Sequence, residues 1–506
     1  MIEFLVVIGV ALTGLYMYLT WHYGYWKKYG VPYDKPVPFF GSVIDSVLLK
    51  ANRAEKFDEM YRSFPGEKVV GWYNMRKPAI LVRDPELVHK VFVTDFYSFR
   101  NNDVDSNITD DPMSRNAFVL QDEEWKRTRA LITPAFSSGK IKSMYPQMIE
   151  IAKEFNIYLK KHPEEIHVKD AMSRFMTEVV AKCAFGIEGN SFKEEKPQMH
   201  SVGKSIFAPS KKQSFMFMII FFLPVLNKIF KFRIVPSNVS EFFNSVLKDI
   251  IVYRQNNNVD RNDLVNYLIE LKRKSLEVEK GNVQSDLIKR PYTDEDVLAG
   301  CVMFFVEAFE TSSLLMSHIL YQLAMNKDVQ DRLRAEINEE MKKGDISYER
   351  LHEMTLVNAV LLETNRMMPV AHFHFKRCTE DYEFDLGNGK KVPVKKGMSV
   401  VLPSYGIHTD PLYWEDPLTF NPDRFPSNEE GQQAKAKGIY MPFGDGPRMC
   451  IGVRLSSTII KACLVYVLSK FEVVPSSKTP KKIELDPEYF MTTHKGGIYL
   501  KFVEKS

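Results

Sequence analysis

Phe443-Gly444-Asp445-Gly446-Pro447-Arg448-Met449-Cys450-Ile451-Gly452 places glycines, one arginine and one cysteine just ahead of an apolar helical stretch. The glycines permit tight backbone turns. A cysteine at a helix amino terminus faces backbone N–H groups, and with a cation nearby it is stabilised as the thiolate, the form that binds metal. Arg448 supplies the cation and can pair with an anionic group of a cofactor. A single cysteine taken alone is more often a small buried hydrophobe, so the rest of the chain has to decide.

The chain has 506 residues, more than a usual single-core domain. With 45% hydrophobic residues, 26% charged residues and 35 Phe it can bury a large core and is not disordered. Its 68 basic and 64 acidic side chains nearly cancel without a long block of either sign, so no nucleic-acid footprint is indicated. Five cysteines, at 183, 301, 378, 450 and 463, contain no Cys-x-x-Cys pair and suit a reducing compartment. Helical periodicity dominates from about residue 120 to 370. Strand signals cluster at Lys68 to Arg83, at Tyr382 to Val394 around Gly387-Asn388-Gly389, and around Gly496-Gly497-Ile498-Tyr499-Leu500. Residues 254 to 292 are the most polar stretch and read as a surface connection with a short helix. The expected fold is mainly α with small β-sheets, in one large domain.

Residues 2 to 20 are apolar apart from Glu3 and as a helix would reach roughly 28 Å, about one hydrocarbon core. The run lacks the positive n-region and small-x-small site of a cleaved signal, so it reads as an uncleaved single-pass anchor. Trp21, Tyr23, Tyr25 and Trp26 read as an interfacial belt, and Lys27 and Lys28 place the rest of the chain in the cytosol. Prolines between Val31 and Gly41 read as a stiff hinge. The division is thus anchor 1–26, proline-rich hinge 27–41 and catalytic domain 42–506. A second apolar run, Phe215 to Leu223, is too short to cross a bilayer and reads either as a buried helix or as a dip into the membrane face.

At Phe443, Gly446, Arg448, Cys450 and Gly452 the quoted segment resembles the haem-binding signature of the cytochrome P450 family. Where many relatives carry Ala and Glu after it, this chain has Ser456 and Ile459. Glu363-Thr364-Asn365-Arg366 is similar to the family's Glu-x-x-Arg, and Phe420 to Phe425 to the segment whose Arg424 would complete a buried Glu363–Arg366–Arg424 network of structural role. Trp125 and Arg129 match the family's Trp-x-x-x-Arg, at an i, i+4 spacing that shares one helix face. The resemblance implies haem b with Cys450 as axial thiolate to iron, Phe443 beside it, and Trp125, Arg129 and Arg448 at the haem propionates. A further basic contact is expected after Pro369, where His374 is the candidate. Phe304 to Ser313 lies in a long apolar helix capped at Thr293 and resembles the distal oxygen-binding helix. Glu310 and Thr311 keep the acid and alcohol of proton delivery, but Ala308 stands where Gly is usual and Glu307 where a small residue is. Glu307 either adds a charge beside the iron or turns away to pair with a basic residue.

The resemblance extends over nearly all of the chain after the anchor, including Ala184-Phe185-Gly186 and His408-Thr409-Asp410-Pro411, and looks closest to the animal microsomal, drug- and steroid-oxidising group. It implies a monooxygenase of the endoplasmic-reticulum membrane that inserts one atom of O₂ into a lipophilic steroid, fatty acid or xenobiotic. Phe118, Phe305, Ala308, Thr311, Val370, Ala371 and Phe490 fall in regions that line the family's substrate cavity. Gly444-x-Gly446 has no third glycine and is not a dinucleotide loop, so electrons are expected from a separate NADPH-dependent reductase, with cytochrome b5 as a second donor. His352-Glu353 lacks the second histidine of a zinc helix. The rivals are a haem-thiolate isomerase or dehydratase acting on a peroxide, whose relatives often lose the threonine retained here at 311, and a non-catalytic haem sensor.

Overall fold

The long apolar helix organises the body. The structure is a computed structural model describing residues 2–104, 111–207, 211–222, 224–387, 389–489 and 491–505. In it Asp294–Met325 forms one unbroken α-helix of 32 residues. Thr293 and Asp296 build its capping box, and three acids in the first turn meet the positive end of the helix dipole. Arg290 clamps Asp296 with bonds of 2.6 and 2.8 Å. By composition this helix could cross a membrane, but it is largely buried and is the core of the body. Val168–Val179 packs along it, with helices Leu264–Glu279, Ser237–Asn257 and Thr355–Met367 around it.

The strands are β1 (Val69–Asn74), β2 (Lys77–Val82), β3 (Asn101–Asn102), β4 (Ile166–His167), β5 (His374–Arg377), β6 (Tyr382–Asp385), β7 (Lys391–Val394), β8 (Ser399–Leu402), β9 (Phe471–Pro475) and β10 (Tyr499–Glu504). They form a sheet ordered β1-β2-β8-β5-β3, a sheet β4-β10-β9 and the pair β6-β7. β1 and β2 are an antiparallel hairpin, β2 runs parallel to β8, and β5 returns antiparallel to it. Each sequence cluster of strand signals holds strands; β5 and β8, of four residues each, lie outside those clusters and are too short to show a period of two. Asn388 lies outside the described residues.

Three readings change. Trp26 is not at a membrane interface: it is fully buried on β1, where Gly71 leaves room and any Cβ would sit 2.4 Å from the indole ring. Its Nε1 donates to Trp72 O at 3.1 Å, and the Tyr23 and Tyr25 hydroxyls bond to the body, so only Trp21 stays exposed. The proline segment is likewise stitched to β1, Gly71 N donating to Pro32 O and Asp34 N to Gly71 O, so packing begins before residue 42. The polar 254–292 stretch carries a 16-residue helix, not a short one, because Asp263 caps it and Leu264, Val265, Leu268 and Leu271 recur on one face. Ahead of the body, Ile2–Thr20 is a single helix with none of its residues buried. Helix Lys211–Phe222 buries Ile219 and Ile220 and leaves Phe215 half exposed, so it serves partly as core.

Candidate active site

Residues 443–450 fold into a loop shaped by glycine. Gly446 has φ +67°, and a Cβ there would lie 1.9 Å from Phe92 O, so no side chain fits. Cys450 N–H donates to Phe443 O at 2.9 Å and closes the loop. The following helix, Val453–Lys470, starts three residues beyond the closure, so the N–H groups of Gly452 and Val453 favour the Cys450 thiolate, as does Arg129. The protein packed around the sulfur outweighs them and pushes the thiol up even though the residue keeps an open surface, the reverse of the thiolate expected from helix position alone. Metal coordination removes the proton outright. Cys450 is the one cysteine with an exposed surface; Cys183, Cys301, Cys378 and Cys463 are buried.

Two histidines, half-buried His374 and fully buried His408, grip the peptide that leads into this loop. His374 Nε2 lies 2.9 Å from Met441 O, and Met441 N–H donates to His408 Nε2 at 2.8 Å. Burial holds both rings neutral, His374 near 4 and His408 well below the usual range. His374 therefore steadies the cysteine loop from behind.

The basic contact expected after Pro369 has a better candidate in Lys376. On β5 the period of two puts His374 and Lys376 on one face, while Arg377 turns outward to Asp103 at 2.8 Å. Lys376 is 4% exposed, donates to Asn102 Oδ1 at 2.9 Å, and is pushed down to about 7 by burial and then by Arg448. Arg448 is pushed down to about 9, mainly by burial; Asp122 opposes the fall and Arg129 adds to it. It lies 4.2 Å over the Trp125 ring and bonds to Ala117 O, Leu120 O, Arg100 O and Asn101 Oδ1, all neutral acceptors. Arg129 donates to Met449 O at 2.9 Å. Among the described residues no carboxylate lies within 4 Å of these three cations. Like charges held together, Lys376 buried and the two arginines half-buried, call for an anion between them. Two carboxylates beside a thiolate-bound metal, as haem supplies, fit this donor set.

Across from Cys450, Glu307, Ala308 and Thr311 share a face of the long helix, as residues i, i+1 and i+4 do. Glu307 is exposed, Ala308 and Thr311 are half-buried, and Phe305, Phe309 and Glu310 are buried on the other side. Glu307 has not turned away to a base: it senses Arg129, and Cys450 senses it, which places it on the cysteine side. Thr311 Oγ1 donates to Glu307 O at 2.5 Å. Glu310 turns to the opposite side and pairs with Lys169 at 2.5 Å; Lys169 also lies 4.9 Å over the Tyr489 ring. Phe118 is 44% exposed, and Val370 and Ala371, which come just after Pro369 in the chain, are half-buried. Phe305 is fully buried against Phe243 and Phe309, so it fills the body. Phe490 lies outside the described residues.

Glu363, Arg366 and Arg424 come together elsewhere in the body. Arg366 forks onto Glu363 with two bonds of 2.8 Å, both side chains fully buried, and Arg424 Nε lies 3.3 Å from Glu363. Arg366 also donates to His408 O at 2.7 Å, so the ion pair supports the histidine that holds the cysteine loop. Lys169 carried no signal in sequence, and the roles of His408 and Lys376, although both lie in stretches the resemblance covers, are each defined by a partner distant in the chain.

Residues 31–502 match the family profile described as cytochrome P450. The chain belongs to the cytochrome P450 family. Curated relatives agree over their whole length: cytochrome P450 6B7 of Helicoverpa armigera is 34% identical, with 99% of this chain and 98% of the relative covered. Cytochrome P450 6k1 of Blattella germanica is 32% identical, covering 99% and 97%, and probable cytochrome P450 9f2 of Drosophila melanogaster is 32% identical, covering 100% and 99%. As a P450 the protein is an oxidoreductase of the monooxygenase type, whose cofactor is haem with a cysteine thiolate on the iron. Its reaction takes O₂, a lipophilic substrate and a redox partner.

Proposed function

We propose that Cys450 is the haem thiolate ligand and that the protein hydroxylates lipophilic small molecules at the cytosolic face of the endoplasmic reticulum. The observation that carries this reading is the set of cations around the cysteine loop, buried Lys376 and half-buried Arg129 and Arg448, none with a carboxylate within 4 Å among the described residues. Trp125 floors that cradle beneath Arg448, and His374 and His408 hold the loop in place. Haem bound there supplies O₂ activation, with thiolate donation favouring O–O cleavage. Thr311 holds a hydroxyl proton on the cysteine side of the helix, and Glu310, paired with Lys169, is the acid one residue before it. Phe118, Ala308, Val370 and Ala371 supply apolar walls for the substrate.

The exposed apolar helix Ile2–Thr20 supports a single-pass anchor, with the body after Lys27 and Lys28 in the cytosol. Electrons come in this reading from an NADPH-dependent reductase on the same membrane, with cytochrome b5 as a second donor. Purified holoprotein with reductase and NADPH should show substrate-dependent O₂ uptake with a lipophilic panel. Cys450→Ala should lose the thiolate-type carbonyl spectrum. An unchanged spectrum removes Cys450 from the iron, and haem binding without O₂ uptake across the panel points to a peroxide isomerase or a sensor instead.

A further inference from the structure

Glu307 is the feature of the site that proton delivery does not use. Its neighbours on the helix, Phe305, Val306, Phe309 and Glu310, are buried, yet its own side chain is open on the face it shares with Ala308 and Thr311. Glu310 has a cation of its own, Lys169 at 2.5 Å. Glu307 has none: among the described residues no lysine, arginine or histidine comes within 4 Å of its carboxyl. The cation it senses most is Arg129, which is tied to Met449 O and belongs to the cradle for the haem carboxylates. The carboxyl is open on this face but has no counter-ion, and the protein around it pushes it up to about 7. A positive charge brought against it favours the ionised carboxylate.

Among the described residues the protein sets no cation in contact with it, which leaves that place to a ligand. We propose that Glu307 selects cationic lipophilic substrates, with a protonated or quaternary nitrogen at the carboxylate and an apolar body along Ala308, Val370 and Ala371. The inference rests on the haem-thiolate reading above and sharpens its substrate class. A cation on the substrate fixes the distance between the nitrogen and the carbon that faces the cysteine side, because Glu307 and Thr311 stand one helical turn apart. Amine-bearing substrates are thereby held in one register, whereas neutral ones meet an unpaired carboxyl.

The test uses the holoprotein and reads binding through the ligand-induced shift of its haem spectrum. The probes are decyltrimethylammonium, whose nitrogen has no lone pair for iron, and its uncharged carbon isostere 2,2-dimethyldodecane. In an apolar cavity without a carboxylate the isostere binds more tightly, since the ammonium loses its hydration. With Glu307 the order should reverse, the ammonium binding at least about tenfold tighter. Glu307→Gln should restore the isostere's advantage by weakening the ammonium at least about tenfold, and Glu307→Asp should keep part of the preference for the ammonium. Tighter binding of the isostere by the native protein, or an unchanged preference in Glu307→Gln, overturns the proposal. The comparison on native protein stands even if the Gln variant folds poorly. A missing thiolate-type carbonyl spectrum in the native protein would instead mark failure of the haem-thiolate reading itself.

Discussion

Replacing Lys376 by Met tests the electrostatic account of the cofactor cradle most directly. The ammonium of Lys376 is 4% exposed, it donates a hydrogen bond to the neutral Asn102 Oδ1, and Arg448 stands beside it as a like charge. Its fall from 10.5 to about 7 corresponds to a penalty on the charged form of about 5 kcal/mol before relaxation. In protein stripped of haem this gives a definite sign. The folded state holds the proton less tightly than the unfolded state, so stability is lowest below pH 7 and rises as pH moves from about 7 toward 10. Met, similar in length and uncharged, should abolish that rise and stabilise the stripped protein. In the holoprotein the sign inverts, because a charge-assisted hydrogen bond from Lys376 to a haem carboxylate contributes about 1.5–3 kcal/mol. Lys376→Met should therefore release haem to an excess of a haem-scavenging globin about ten- to a hundredfold faster, and Lys376→Arg should stay near the native rate. Release from Lys376→Met at the native rate would refute the cradle's cationic role. A destabilised stripped variant would refute the burial argument.

The same geometry sets further outcomes. Arg366→Met leaves Glu363 as a fully buried charge with only Arg424 near it, so urea unfolding should show a loss of about 3–5 kcal/mol, with reduced haem content because His408 loses its support. Gly446→Ala forces a Cβ into Phe92 O at a φ of +67°, and should leave the chain expressed but with little haem by absorbance. Trp26→Ala empties a fully buried site on β1, and calorimetry or denaturant titration should show about 3–5 kcal/mol of destabilisation, a loss that an interfacial anchor residue would not cause. Thr311→Ala should raise peroxide released per NADPH consumed relative to product, whereas equal coupling in both proteins would remove Thr311 from proton delivery.

Local chemistry wrote much of this protein into its sequence. The glycine pattern around Cys450, the Thr293 cap on an apolar run and the spacing of Glu363 and Arg366 act over a few residues, so the helix, the loop and the buried pair are legible in one dimension. The apolar amino-terminal run is legible for the same reason. What only the tertiary structure decided depends on partners far apart in the chain. Trp26 looks like a membrane-interface residue until Gly71 is brought under its ring. His374 and Lys376 are both basic and two residues apart, and only the register of β5 against β8 and β3 sends one to the Met441 peptide and the other beside Arg448. Glu307 and Glu310 are separated by less than a helical turn, yet one meets Lys169 and the other faces Cys450, because the helix is packed on one side and open on the other. A charge's meaning depends on what is buried beside it, and that is settled only when distant segments pack.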